Sequence, residues 1–115
     1  KKKIEADLLH DDMSLWIETE NGLAVVCGCC HSGLINTLNH INKQAAQTTI
    51  KCLLGGLHLV SANQERMDTT IDYLNKQGIG NIYPAHCTGD NAMSLLLKQC
   101  KSNVQIAKAG LKLTL

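Results

Sequence analysis

The sequence predicts an α/β fold of the layered kind. Three observations predict it: β-prone apolar segments alternate with helical ones, three strand-to-helix junctions follow one another at near-regular spacing, and no linker or low-complexity stretch interrupts them. With 115 residues there is room for a single domain, 1–115, and a chain that is 44% hydrophobic and 18% charged has the composition to bury a core.

Each element has a local reason. Trp16 and Ile17 lie in a short β-prone stretch, Glu20-Asn21-Gly22 makes a turn, and Leu23 to Val26 runs apolar into Cys27-Gly28, which predicts a hairpin. After His31-Ser32-Gly33, Leu34, Ile35, Leu38 and Ile41 recur at helical spacing as far as Ala45-Ala46, with Ser32 or a neighbour as the cap. Ile50 to Leu54 predicts a strand that ends in Gly55-Gly56-Leu57-His58. A helix follows from about Ala62 to Lys76, with Met67, Ile71 and Leu74 on one face and Gly78 closing it. Asn81-Ile82-Tyr83 predicts a third strand, stopped by Pro84, before His86-Cys87-Thr88-Gly89 and a helix marked by Ala92, Leu95, Leu96 and Cys100. Val104 to Ala107 and Leu111 to Leu113, parted by Ala109-Gly110, predict a terminal hairpin.

Charge and composition exclude several functions. Eleven Lys+Arg against 10 Asp+Glu leave no excess to attract phosphates, and a chain with one Trp, two Tyr and no Phe lacks stacking platforms, so no nucleic acid is expected as a partner. The apolar runs are far shorter than the ~20 residues of a membrane helix, so no membrane is expected either. Lys1–Lys3 is followed by Glu5 and Asp7 and not by a signal-peptide core, which predicts a cytoplasmic protein. Of six cysteines, Cys27, Cys29 and Cys30 crowd one segment while Cys52, Cys87 and Cys100 are scattered. This is not the spacing of a disulfide scaffold, and it predicts free thiols in a reducing compartment.

The chemistry gathers at the strand ends. His31, His58 and His86 stand one at each strand-to-helix junction, where layered α/β folds collect their ligand sites, and neutral imidazole is a common metal ligand. Each taken singly reads as a hydrogen-bonded loop histidine; together they predict a shared site on one sheet edge. His10 and His40 read as solvated surface. Cys27-Gly28-Cys29-Cys30-His31 also reads as a structural zinc knuckle, but the second ligand cluster that such a site needs is absent, which leaves Cys29 and Cys30 as strand-end packing or as neighbours of a metal. Among carboxylates, Asp11 reads as surface, while Asp12 and Asp90 stand near the candidate loops, where a carboxylate could serve a metal-activated water. Gly55-Gly56 predicts a close backbone approach or an unusual φ angle, in preference to a phosphate cradle.

These same residues carry a family likeness. Asp11-Asp12-Met13-Ser14-Leu15, the run from Gly22 through Cys27-Gly28-Cys29-Cys30-His31-Ser32-Gly33 to Thr37, Gly55-Gly56-Leu57-His58-Leu59 and Pro84-Ala85-His86-Cys87-Thr88-Gly89 form four ordered blocks. From about residue 8 onward the chain resembles the C-terminal half of metallo-β-lactamase-fold hydrolases, in the branch named for dihydropterin–ribofuranosyl-aminobenzene-phosphate synthase. The resemblance implies half of an αββα sandwich: a mixed sheet with helices on one face. It also implies a site for one or two metal ions, usually zinc, whose activated water attacks a small-molecule ester, amide or phosphoester.

Within that resemblance, His31 and His86 match expected metal-ligand positions, while His58 lies in a block peculiar to the branch and is expected to contact metal or substrate. Asp12 and His58 are the expected catalytic residues. The family's His-x-His-x-Asp-His signature is nowhere in these 115 residues. The resemblance therefore implies weak or absent zinc binding and little activity by this chain alone. Its expected partner is the missing N-terminal half or a second copy in a homodimer, either of which would cover strands that read as apolar on both faces; a monomer whose terminal hairpin, Val104 to Leu115, folds over the open face is the alternative to the dimer. A non-enzymatic metal-binding or protein-interaction module on the same half-fold is the alternative.

Overall fold

The computed structural model of the chain describes residues 10–47 and 49–115; the Lys1–Lys3 start with Glu5 and Asp7, and the beginning of the family resemblance at residues 8 and 9, lie outside the described residues. The elements run β1 (Ser14–Thr19), β2 (Gly22–Cys27), α1 (Leu34–Gln44), β3 (Ile50–Gly56), α2 (Gln64–Gln77), β4 (Asn81–Ala85), a single 3-10 turn (His86–Thr88), α3 (Asp90–Gln99) and β5 (Asn103–Val104). They build one five-stranded mixed sheet in the order β1-β2-β3-β4-β5. The predicted hairpin forms: β1 pairs antiparallel with β2 through a two-residue loop, Glu20-Asn21, while β2, β3, β4 and β5 run parallel.

All three crossover helices lie against one face of the sheet. Strand residues alternate sides, so Leu23, Val25 and Cys27 of β2, Leu53 of β3 and Ile82 of β4 point to the same side. They form a buried cluster with Leu34, Leu38 and Ile41 of α1, Met67, Ile71 and Leu74 of α2, and Ala92 and Leu96 of α3. The alternate residues form the opposite face. Register places Leu15 and Ile17 opposite Val26 and Ala24, and these in turn beside Leu54 and Cys52. No helix covers this side, and Leu15 and Ile17 stay 51% and 42% exposed.

Several boundaries differ from the sequence expectation, each for a physical reason. Helix α1 is capped by Gly33, which has no side chain to offer, because the Ser32 hydroxyl is donated to Asp12 instead. Helix α2 starts two residues later than expected, where the Asn63 side chain accepts from the Arg66 N–H at 2.8 Å; Gly78 closes it in the left-handed conformation, as expected. Strand β4 runs through Pro84, which was expected to stop it. Proline is tolerated because the chain beyond β5 donates to the carbonyls of Ile82 and Pro84, from Gln105 and Ala107, and takes nothing from the proline nitrogen.

The terminal hairpin does not form. Asn103–Val104 forms a short strand parallel to β4, the bonds from Gln105 and Ala107 continue along β4, and 105–115 forms no further strand. Leu111, Leu113 and Leu115 instead come back to the open sheet face, where with Ala24, Val26 and Leu54 they line a cavity of about 260 Å³. Burying apolar surface there outweighs the ladder bonds that an isolated hairpin would make.

Candidate metal centre

Parallel strands end at the same sheet edge, so β2, β3 and β4 deliver their following loops to one place. His31 follows β2, His58 follows β3, and His86 opens the 3-10 turn directly after β4. Each loop is anchored by a residue that goes inward. Fully buried Cys30 precedes His31, buried Leu57 and Leu59 flank His58, and buried Thr88 follows His86 and Cys87. The polar residues between these anchors are left facing the edge.

The structure brings His31 and His58 into edge-to-face contact, with ring centroids 4.7 Å apart. Two three-donor groups result, each with all its ligand atoms within 4.8 Å: Cys29, His31 and His58 in one, and Cys29, His86 and Cys87 in the other. Cys29 belongs to both. Its sulfur lies 3.6 Å from His58 Nδ1 and 2.8 Å from the Cys87 sulfur. Nitrogen and sulfur donors at such separations are what a borderline-soft divalent ion such as zinc binds, so the residues present fit a metal.

Backbone strain concentrates at the same edge. The non-glycine residues with positive φ among those described are Cys30 (57°), His58 (51°) and His86 (20°). Each sits in or beside the loops that carry the donors, and such strain persists only where surrounding contacts hold it. Three contacts do so here. The Thr88 hydroxyl accepts from the Leu57 N–H at 3.1 Å and donates to the Ala85 carbonyl at 2.8 Å. The Val60 N–H donates to the Cys87 carbonyl at 3.2 Å, which fastens the His58 loop to the His86 turn. Gly56 makes the room, since a Cβ there would stand 2.7 Å from both the Cys87 sulfur and His86 Cε1. The predicted close approach at Gly55-Gly56 is thus observed, and it serves side chains.

Asp12 is close to the site but in neither donor group. Its carboxylate accepts from the His31 and Ser32 N–H groups at 3.1 Å each and from the Ser32 hydroxyl at 3.0 Å. Desolvation raises its pKa; the hydrogen bonds from Ser32 and His31, with the His31 charge, outweigh that and hold it below the ordinary 3.8. A depressed carboxylate pKa contributes stability that is present above the unfolded value and lost as pH falls through the folded one. Asp12→Asn is therefore expected to melt lower than the unchanged chain at pH 7, and the gap should narrow as pH falls from about 4, the unfolded value, through the lower folded one, where the carboxyl takes up its proton. Thermal melts at pH 7 and pH 3 check this; a gap of the same size at both would remove the charge from the explanation.

The other sequence candidates are placed elsewhere. Asp90 is exposed in the first turn of α3, where a carboxylate suits the helix dipole, and Asp11, His10 and His40 are exposed. The zinc-knuckle reading does not survive, because Cys27 and Cys30 are buried in the core and, of the three cysteines in that run, Cys29 alone reaches the edge beside His31. All six cysteines are free. The hydrogen bond that the Cys29 thiol donates to the Cys87 sulfur is the largest cause that pushes it up to about 11, with burial and the neighbouring charges adding to it.

Sequence reasoning missed Cys87 as a site residue and Thr88 as a positioning one. The available signal was their adjacency to His86 at a strand end.

No protein-family model matches the chain. It is 32% identical over 108 residues to 7,8-dihydropterin-6-methyl-4-(beta-D-ribofuranosyl)-aminobenzene-5'-phosphate synthase of Methanocaldococcus jannaschii, a match that covers 94% of this chain and 37% of that protein. An uncharacterized protein of the same organism is 37% identical over 90 residues, covering 78% of this chain and 32% of the relative. Among solved structures, a metal-dependent hydrolase of the β-lactamase superfamily superposes with a TM-score of 0.84 at 30% identity, over 89% of this chain and 40% of that one. The chain thus spans less than half the length of the proteins it matches. The five-stranded mixed sheet, its one-sided helices and the aligned sequence together identify this chain as a metallo-β-lactamase half-fold, similar in sequence to the dihydropterin–ribofuranosyl-aminobenzene-phosphate synthase-like branch.

Proposed function

We propose that this chain forms one wall of the metal centre of a metal-dependent hydrolase, with His31, His58 and His86 as imidazole ligands. The observation that carries this reading is the meeting of three separate strand-end loops in two overlapping donor groups at one sheet edge. Zinc suits the nitrogen and sulfur donors, with one or two ions in the complete site. Such an ion supplies a Lewis acid and an activated water for attack on a small-molecule ester, amide or phosphoester. His58, half-buried on the loop between β3 and α2, is the side chain assigned to reach substrate as well as metal. Asp12 is assigned a positioning role, since its hydrogen bonds hold the His31 loop. Free cysteines at the site suit a reducing cytoplasm.

The His-x-His-x-Asp-His signature is not within these residues, so turnover is proposed to need a second segment that brings it. The part of this sheet face that the C-terminal leucines leave exposed, around Leu15 and Ile17, is the surface assigned to that segment. A second copy could use the same face, and the exposure of Leu15 and Ile17 favours some cover over none. Among the described residues no helix is long and apolar enough to cross a membrane.

The test is co-expression. The chain alone is expected to show no zinc-dependent turnover on a panel of activated esters and phosphoesters, and to gain it when co-expressed with a segment carrying the signature motif. Light scattering of each sample reports whether a heterodimer, a homodimer or a monomer is present. Zinc-dependent turnover by the isolated chain, abolished in His86→Ala, would overturn the need for a second segment; an inactive but stable heterodimer would favour an interaction module.

A further inference from the structure

We infer that Cys29, His86 and Cys87 form a three-ligand site in which two thiolates and one imidazole hold a borderline-soft divalent cation, so that sulfur and not imidazole alone anchors the metal in this chain. The inference deepens the hydrolase reading and rests on it for the identity of the site.

The three donor atoms lie within 4.8 Å of one another, and they come from the loop after β2 and the turn after β4, which the Cys87 thiol bridges through the Cys29 sulfur and carbonyl. In a tetrahedral zinc site with Zn–S near 2.3 Å, neighbouring ligand atoms stand roughly 3.5–3.8 Å apart. Cys29 Sγ already stands at that spacing from His58 Nδ1 of the neighbouring donor group, 3.6 Å away. The two sulfurs, at 2.8 Å, are closer than two unbonded thiols prefer and need to part by about 1 Å to embrace an ion. Two observations suggest that this closeness is built in. Gly56 leaves out a Cβ that would strike both the Cys87 sulfur and the His86 ring, and the His86 backbone takes a positive φ to start the turn that aims Cys87 at Cys29. Cys87 also lies 3.4 Å from the Cys29 carbonyl oxygen, a second contact that holds it across the gap between loops.

A set of two sulfurs and one nitrogen leaves the fourth tetrahedral position open, which is the pattern of a catalytic and not of a closed structural site. Binding balances simply: the dication enters, both thiols release their protons to solvent, and no electron is transferred. His31 and His58 form the second donor group, which shares Cys29 with this one.

Cobalt(II) titration of the reduced chain tests this directly, because thiolate ligation produces a near-ultraviolet sulfur-to-cobalt charge-transfer band that imidazole ligation does not. The expected result is one band that saturates at one cobalt per chain, lost in Cys29→Ser and in Cys87→Ser and retained in Cys100→Ser. Cobalt uptake is expected to fall at least about tenfold in the two site variants. Far-ultraviolet circular dichroism of each variant separates loss of the site from loss of the fold, and Cys87→Ala serves where serine unfolds the chain. Cobalt bound with visible bands only, unchanged in the cysteine variants and lost in His31→Ala and His58→Ala, would overturn the sulfur site and leave the hydrolase reading standing. A folded, fully reduced chain that takes up no cobalt would overturn the sulfur site, while turnover in the co-expressed complex would still decide the hydrolase reading separately.

Discussion

Gly55→Ala is expected to leave the chain largely unfolded. Gly55 lies in the central strand β3, paired with Cys27 on one side and Pro84 on the other, and its φ of +127° belongs to a region that side chains rarely adopt. A Cβ added there collides with the Cys27 carbonyl, so neither the residue nor its neighbour can relax without opening the β2–β3 ladder. Backbone strain of about 1–3 kcal/mol adds to that collision, for a total of roughly 4 kcal/mol or more, a large part of the stability of a domain this size. Gly78→Ala is the control: its φ of +65° is also left-handed, but nothing lies within 4 Å of the added carbon, so a cost of only about 1 kcal/mol is expected. Urea unfolding of the two variants reads the difference. Similar midpoints would mean that the sheet yields at Gly55 far more easily than its packing implies.

The second large effect is expected at Thr88. Thr88 is fully buried, and its hydroxyl is the side-chain link between the loop of His58 and the turn of His86, beside the backbone bond from Val60 to Cys87. Thr88→Val keeps the shape but strands the Leu57 N–H and the Ala85 carbonyl away from water, which costs about 3 kcal/mol. Metal uptake should fall by roughly ten- to a hundredfold as well, as it does when an outer partner of a ligand is removed, although Thr88 itself is not a ligand. Thr88→Ser should recover most of both losses, because it restores the hydroxyl and lacks only a methyl group. Thermal melts and cobalt titration of the two variants check this. A Thr88→Val chain that is destabilised but binds cobalt normally would confine the residue to a structural role.

Much of this architecture was legible in the chain because local rules agreed with one another. The alternation of Leu23–Val26, Ile50–Leu54 and Asn81–Tyr83 with segments of helical period predicts strand and helix in the observed order, and Gly78 marks a helix end for the reason that it can adopt the left-handed conformation. His31, His58 and His86 fall at strand ends, and parallel strands in sequential order bring such ends to one edge. Where rules competed, the sequence misled. Val104 to Leu113 has the look of a hairpin, yet its leucines gain more from the open sheet face than from pairing with each other. Pro84 has the look of a strand breaker, yet its position in β4 requires no donor from it.

The sequence by itself determined the fold class, the order of the elements and the three loops from which a site could be built, because periodicity, glycine placement and strand-end position are properties of short stretches. Only the tertiary structure decided which side chains meet there. Cys29 and Cys87 are separated by two strand-helix units, and nothing in either stretch reports the other; the parallel pairing of β2, β3 and β4 sets their sulfurs 2.8 Å apart. It likewise decided that Asp12 holds the His31 loop while Asp90 stays at a helix start. Donor geometry depends on register between strands distant in sequence, and register is fixed by the packing of the whole sheet.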